Sequence, residues 1–114
     1  MKQSILQEKS KEFALHIISL VQLLQKNNQY IIANQILRSG TSIGANVSEA
    51  CYAASKVDFA NKLNIAQKEA SETKYWLELL YGSNLIEKGI YDNLMKEIMD
   101  LIRILAKSII TAKS

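Results

Sequence analysis

The sequence predicts an all-α protein, an antiparallel up-down-up-down four-helix bundle formed as a single domain over residues 1–114. Three observations predict it. The 114 residues contain no proline and four glycines, too few chain breakers for the turns of a β-sandwich. Four long segments repeat apolar residues at helical spacing. The breaks between them are short, and short connections make successive helices antiparallel neighbours.

The first helix is expected from about Ser4 to Lys26, with Phe13, Ala14, Ile17, Ile18, Leu20, Val21 and Leu24 on its apolar face. Asn27-Asn28-Gln29 is a polar break. The second helix is expected from about Tyr30 to Ala53. Ser55 and Asp58 form a Ser-x-x-Asp variant of the capping box, which starts a third helix running to about Tyr81. Its first face is Phe59, Leu63, Ala66, Ala70, Thr73 and Leu77; Ile65, Trp76 and Leu79 form a second. Gly82 is placed to stop it. The fourth helix is expected from about Ile90 to Thr111. Leu94, Ile98, Leu101, Leu105 and Ile109 face inward, flanked by Met95, Met99 and Ile102.

The second helix is the least ordinary. At about 100° per residue, Arg38, Ser42, Asn46 and Glu49 share one arc. Ile32, Ile36, Ile43, Val47 and Ala50 share the next, and Ala33, Gly40, Gly44 and Cys51 lie beside those. A helix packed on one core needs the apolar arc alone. Each helical glycine costs roughly 1 kcal/mol against alanine, so a packing reason is expected. The small ridge and polar stripe predict a second neighbour at close range and a specific polar contact. Together with the second face of the third helix, they predict apolar surface beyond what one bundle hides, hence a homo-oligomer.

Composition bounds the function. Net charge is +3 and the pI is near 9.0, which permits contact with nucleic acid without requiring it. The lone cysteine excludes an internal disulfide and suits a reducing compartment. There is no apolar run of about 18 residues to span a membrane, and the polar start lacks the core of a signal peptide. A cytoplasmic protein is expected.

Chemistry-bearing residues are sparse. His16 has no partner at metal-ligand spacing and reads as a packed or surface histidine. Cys51 reads as a buried, inert thiol. Gly-Thr-Ser-Ile-Gly has no following Lys-Ser or Lys-Thr, so it is no phosphate loop. No cofactor or metal site is predicted. One enzymatic pattern competes: Glu69-x-x-Glu72 on the third helix and Glu97-x-x-Asp100 on the fourth resemble the Mg²⁺ site of all-α nucleotide pyrophosphatases. Periodicity weakens it, because Asp100 falls on a solvated face with Lys96, Arg103 and Lys107. Lys68 also stands where such a motif carries another acid. Glu72 is better explained as the partner of Arg38: the arginine is expected to meet Glu49, Glu69 or Glu72, within the bundle or across a subunit boundary. Lys96, Arg103 and Lys107 share one face and are candidate nucleic-acid contacts, multiplied in a ring of subunits.

The residues also carry a family resemblance. Gln35-Ile-Leu-Arg38-Ser-Gly-Thr-Ser42-Ile43-Gly44-Ala45-Asn46-Val-Ser-Glu49-Ala50 is similar to the signature of the bacterial four-helix-bundle proteins first noticed in intervening sequences of 23S rRNA genes. Ser55-Lys-Val-Asp-Phe59-Ala-Asn-Lys-Leu63-Asn-Ile-Ala66 and Glu69-Ala-Ser-Glu72-Thr-Lys-Tyr-Trp-Leu-Glu-Leu-Leu80 resemble it too. The chain departs from many members at Gly44, where they have proline, and at Ser48-Glu49-Ala50, where they have Ala-Glu-Gly. The resemblance implies an antiparallel four-helix bundle assembled as a homopentameric ring. Related accessory variability proteins of diversity-generating retroelements look like basic barrels that contact nucleic acid and a reverse transcriptase. No catalytic residues carry over. Arg38, Gly40, Ser42, Gly44, Asn46, Glu49, Glu72 and Trp76 are expected to be structural or interface residues.

The function expected is thus a non-enzymatic, homo-oligomeric scaffold that binds RNA or DNA weakly. The alternatives are a protein–protein adaptor without nucleic-acid binding and the Mg²⁺-dependent pyrophosphatase.

Overall fold

A computed structural model describes residues 4–113 and places four helices in series: α1 (Ile5–Lys26), α2 (Tyr30–Ala50), α3 (Lys56–Gly82) and α4 (Lys88–Lys113). Each packs on its sequence neighbour and α1 also touches α4, whereas α1 and α3 lie diagonally opposed, as do α2 and α4. The bundle is a rod of 44 × 22 × 19 Å. Along α1–α2, Gly40 sits on Ile17 and Gly44 on Ser10. Along α1–α4, Lys9 pairs with Asp100 and His16 with Glu97. Both seams therefore run in opposite chain directions.

Local signals set the helix ends. Ser4 opens α1 with a full capping box: its hydroxyl accepts from the Gln7 amide, and the Gln7 side chain accepts from the Ser4 amide. Ser55 caps α3 by accepting from the Asp58 amide at 3.1 Å. The Asp58 carboxylate accepts from the Ala54 amide, one residue before the cap. α3 ends at Gly82, within one residue of expectation, but the glycine does not make the turn. Gly82 keeps ordinary helical φ, and the left-handed residue is Asn84, at φ 62°. Its amide bonds to Tyr81 and that of Leu85 to Leu80, the paired bonds of a Schellman motif. Asn28, also at φ 62°, ends α1 identically, with Gln29 bonding to Leu24. Asparagine replaces glycine at both turns because its short polar side chain tolerates this region. α2 stops at Ala50, three residues before the predicted end, and α4 begins at Lys88, two before its predicted start.

The core follows the predicted faces closely. Phe13, Ile17, Leu24, Ile36, Ile43, Leu63, Leu77, Ile98, Leu101 and Leu105 are fully enclosed. Ile18, expected on the apolar face of α1, and Met99, expected to flank that of α4, are exposed at 40% and 47%.

The glycines overturn one expectation. A Cβ on Gly40 would stand 2.9 Å from both γ-carbons of Ile17, and one on Gly44 would stand 3.3 Å from the carbonyl oxygen of Ser10. The small ridge of α2 therefore receives α1 of the same chain, not a second subunit. A helix wheel shows which face is small; it does not say which helix fills it. The polar stripe behaves similarly. Ser42 donates to the Arg38 carbonyl and Asn46 to the Ser42 carbonyl, so both satisfy themselves along their own helix.

Candidate functional site

The seam between α2 and α3 holds the densest polar arrangement. Ser39 and Thr73 face each other in the core, each fully buried. Their hydroxyls share a 2.9 Å hydrogen bond, and Thr73 Oγ1 also lies 2.8 Å from the Glu69 carbonyl oxygen. Buried hydroxyls need such partners, and no described, non-exposed side chain is left with a buried polar atom unpaired.

One layer outward, Arg38 reaches from α2 to both α3 carboxylates: Nη1 donates to Glu69 at 3.4 Å and Nη2 donates to Glu72 Oε2. Trp76 closes the set, its indole N–H donating to the same Glu72 oxygen at 3.0 Å. The Trp76 hydrogen bond is the largest influence holding the Glu72 carboxyl below its usual range; burial opposes it, and Arg38 adds to it through a hydrogen bond and its charge. Glu72 in turn raises Arg38 above its ordinary value. Of the three acids weighed as partners of Arg38, Glu69 and Glu72 are brought to it. Glu49 is exposed at the far end of α2 and takes no part.

This clasp lies beneath an exposed apolar strip. Ile65, Tyr75 and Leu79 on the outer face of α3 are 42%, 53% and 40% exposed. Tyr75 meets the half-buried Trp76 edge-on, with ring centroids 5.3 Å apart. Trp76 is the residue of this face that is tied to the clasp, through its bond to Glu72.

The seam between α1 and α4 differs. Lys9 donates to Asp100 at 2.7 Å, Arg103 donates to the other oxygen of Asp100, and Glu97 grips His16 Nδ1 at 2.8 Å. The two cations hold the Asp100 carboxyl below its usual range, the Lys9 bond contributing most. Sequence reading missed the His16 and Lys9 pairings. They join residues 81 and 91 apart, and no local spacing signals such a contact. Asp100 thereby neutralises part of the predicted basic face, where Lys96, Arg103 and Lys107 all stay exposed on α4.

The four carboxylates of the hydrolase-like pattern do not converge. Glu69 and Glu72 turn to Arg38 at the α2–α3 seam, while at the α1–α4 seam Glu97 turns to His16 and Asp100 to Lys9 and Arg103. Among the described residues, no cluster of three histidine, cysteine or acidic side chains is placed to hold a metal. Cys51, expected to be buried, is half-buried at the end of α2, with its thiol 3.5 Å from the Val47 carbonyl. Among the described residues, no helix is long and apolar enough to cross a membrane.

Comparison with known proteins matches one family and several solved structures. The sequence profile described as the 23S rRNA-intervening sequence protein matches residues 2–107. A crystal structure of a protein of unknown function from the S23 ribosomal protein family of Bacteroides thetaiotaomicron is 44% identical. It superimposes with a TM-score of 0.90 over 92% of this chain and 98% of its own. No match was found among functionally curated proteins.

Proposed function

The chain belongs to the 23S rRNA-intervening sequence protein family, and we propose that it works as a non-enzymatic, homo-oligomeric helical scaffold of the cytoplasm that binds RNA or DNA weakly and without sequence preference. One observation carries the reading. Ile65, Tyr75 and Leu79 stand exposed beside the half-buried Trp76, which its bond to Glu72 holds in place. Aromatic residues with a neighbouring arginine are the composition of interface hot spots, and prior fixation removes part of the entropy cost of association. Five copies, the number the family resemblance implies, would place five sets of Lys96, Arg103 and Lys107 around one ring. A single set is ordinary surface charge; repeated, it becomes a polyanion contact.

A second reading is favoured by Asp100. It pairs with both Arg103 and Lys9, and so weakens the basic face on which nucleic-acid contact depends. On this reading the scaffold is a protein–protein adaptor.

Gel retardation of a mixed-sequence RNA and a duplex DNA at two salt concentrations separates the two. Nucleic-acid binding predicts retardation that falls steeply with salt, and a shallower salt slope in a Lys96→Ala, Lys107→Ala variant. No retardation at low salt would leave the adaptor reading.

A further inference from the structure

The end of the bundle where α2 stops and α4 finishes holds a cleft of about 720 Å³. The sequence leaves it open. Ala50 and Ala53 come from the end of α2 and the turn after it, and Ala112 from the last turn of α4. Side chains this short do not fill the gap between the helices. Half-buried Phe59 of α3 and Ile104 of α4 add the larger apolar walls. The space falls within the roughly 300–1,000 Å³ of small-molecule sites, whose linings are likewise mainly apolar.

Two charged side chains border the cleft, and both are cations: Lys56, the first residue of α3, and Lys107, near the end of α4. Both are exposed, and neither ammonium has an ion-pair partner among the described residues. Asp58, in the same first turn of α3, accepts from the Ala54 amide and does not line the cleft. The Ser108 and Thr111 hydroxyls on the α4 wall donate to carbonyls of their own helix.

An apolar cleft bordered by positive charge alone selects a ligand by both properties. A neutral hydrocarbon would leave the two ammonium groups uncompensated. A small hydrated anion such as phosphate would leave the apolar walls in water. We propose that the cleft binds a medium-chain fatty acid, its alkyl chain against Phe59 and Ile104 and its carboxylate paired with Lys56 and Lys107. Burial of the chain removes apolar surface from water, and charge-assisted hydrogen bonds fix the head group. The site is separate from the outer face of α3. It shares Lys107 with the basic face of α4, but Lys96 and Arg103 do not line it.

The test is calorimetric titration of the full-length protein with decanoate, kept below micelle formation. Decanol and decyltrimethylammonium serve as neutral and cationic probes of the same chain length. Decanoate should bind at one site per chain, about tenfold tighter than decanol, and the cation should not bind. Lys56→Met with Lys107→Met should weaken decanoate about tenfold and leave decanol unchanged; Lys96→Ala should alter neither. Circular dichroism verifies the fold of each variant, and glutamine replaces methionine if the pair does not fold. Cys51 gives a second readout. It is the sole cysteine of the chain, half-buried in the lining, so bound decanoate should slow its alkylation by uncharged iodoacetamide. Absence of decanoate binding, or binding that leaves Cys51 unshielded, overturns the site. Equal affinity for decanol or for the cation overturns recognition of the carboxylate, as does a loss in Lys96→Ala equal to that in the double variant.

Discussion

The two sides of this bundle are held in different ways. Around α2 the contacts are close and enclosed: glycines let α1 settle onto the helix, and Ser39 with Thr73 joins it to α3 inside the core. Across the α1–α4 seam, where the helices approach over fewer residues, the joining groups are polar pairs at the rim, the Lys9–Asp100 ion pair and the His16–Glu97 hydrogen bond. Enclosed polar groups are costly to unpair, so they specify which helix goes where and in what register. Rim pairs are exchanged readily for water and contribute little. Fold specificity should therefore be concentrated around α2, leaving the outer faces of α1, α3 and α4 free for recognition.

The largest effect should come from crowding the α1–α2 contact. Gly40→Val would drive two methyl groups into Ile17, itself fully buried and stiff at its branch. A loss of about 3 kcal/mol is expected from overpacking, read by thermal or urea unfolding. Ile17→Ala in the same chain should recover part of it, and an unchanged midpoint for Gly40→Val alone would show that the helices are not tightly apposed.

Next comes Thr73→Val. It keeps the shape and strands the Ser39 hydroxyl, whose remaining contact is the Ile36 carbonyl at 3.5 Å. A cost of about 1–2 kcal/mol is expected. A neutral result would mean that the two hydroxyls are not enclosed together.

A smaller effect is expected from acid. Glu72 and Asp100 are both held below their usual values in the folded chain. Each contributes stability that is fully present above the unfolded carboxylate pKa of about 4 and is lost as pH falls through the lower folded value. Trp76 is the sole tryptophan and bonds to Glu72. Its emission should therefore follow the α2–α3 clasp and stay silent to Asp100. Glu72→Gln should remove that acid transition in fluorescence; a transition that persists would assign it to another group.

The smallest effect is predicted at the rim. Lys9→Met should leave the unfolding midpoint nearly unchanged, since the pair it breaks is exposed. A drop comparable to that of Thr73→Val would erase the contrast between the two sides.

Much of this was readable in the sequence, and the remainder was unreadable for identifiable reasons. Apolar periodicity located all four helices and nearly every enclosed side chain, because a buried face repeats with the helix itself. The Ser55 cap was read from its local spacing, whereas Ser4, whose capping box is equally local, was taken only as the start of its helix. Arg38 was recognisable as misplaced on an amphipathic helix, and two of its three candidate acids prove to be its partners. The glycines were recognised as a close-packing ridge but matched to the wrong neighbour, because a wheel has no view of the other helices. Asn84 was passed over for Gly82 because glycine is the commoner left-handed residue, although Asn28 ends α1 in the same way. Glu97 and His16 could not be paired from spacing at all. The exposed Ile65 and Leu79 were legible as a second face. Ile18 was placed on the core face and proves exposed, because it sits at the edge of the α1 apolar arc.

The central claim is that the outer apolar face of α3 exists to meet another copy of this chain. Light scattering of the intact protein, at micromolar and at tenfold lower concentration, tests it most directly. The account predicts a single species several times the 12.8 kDa chain mass that survives the dilution. A mass of one chain at both concentrations would contradict it.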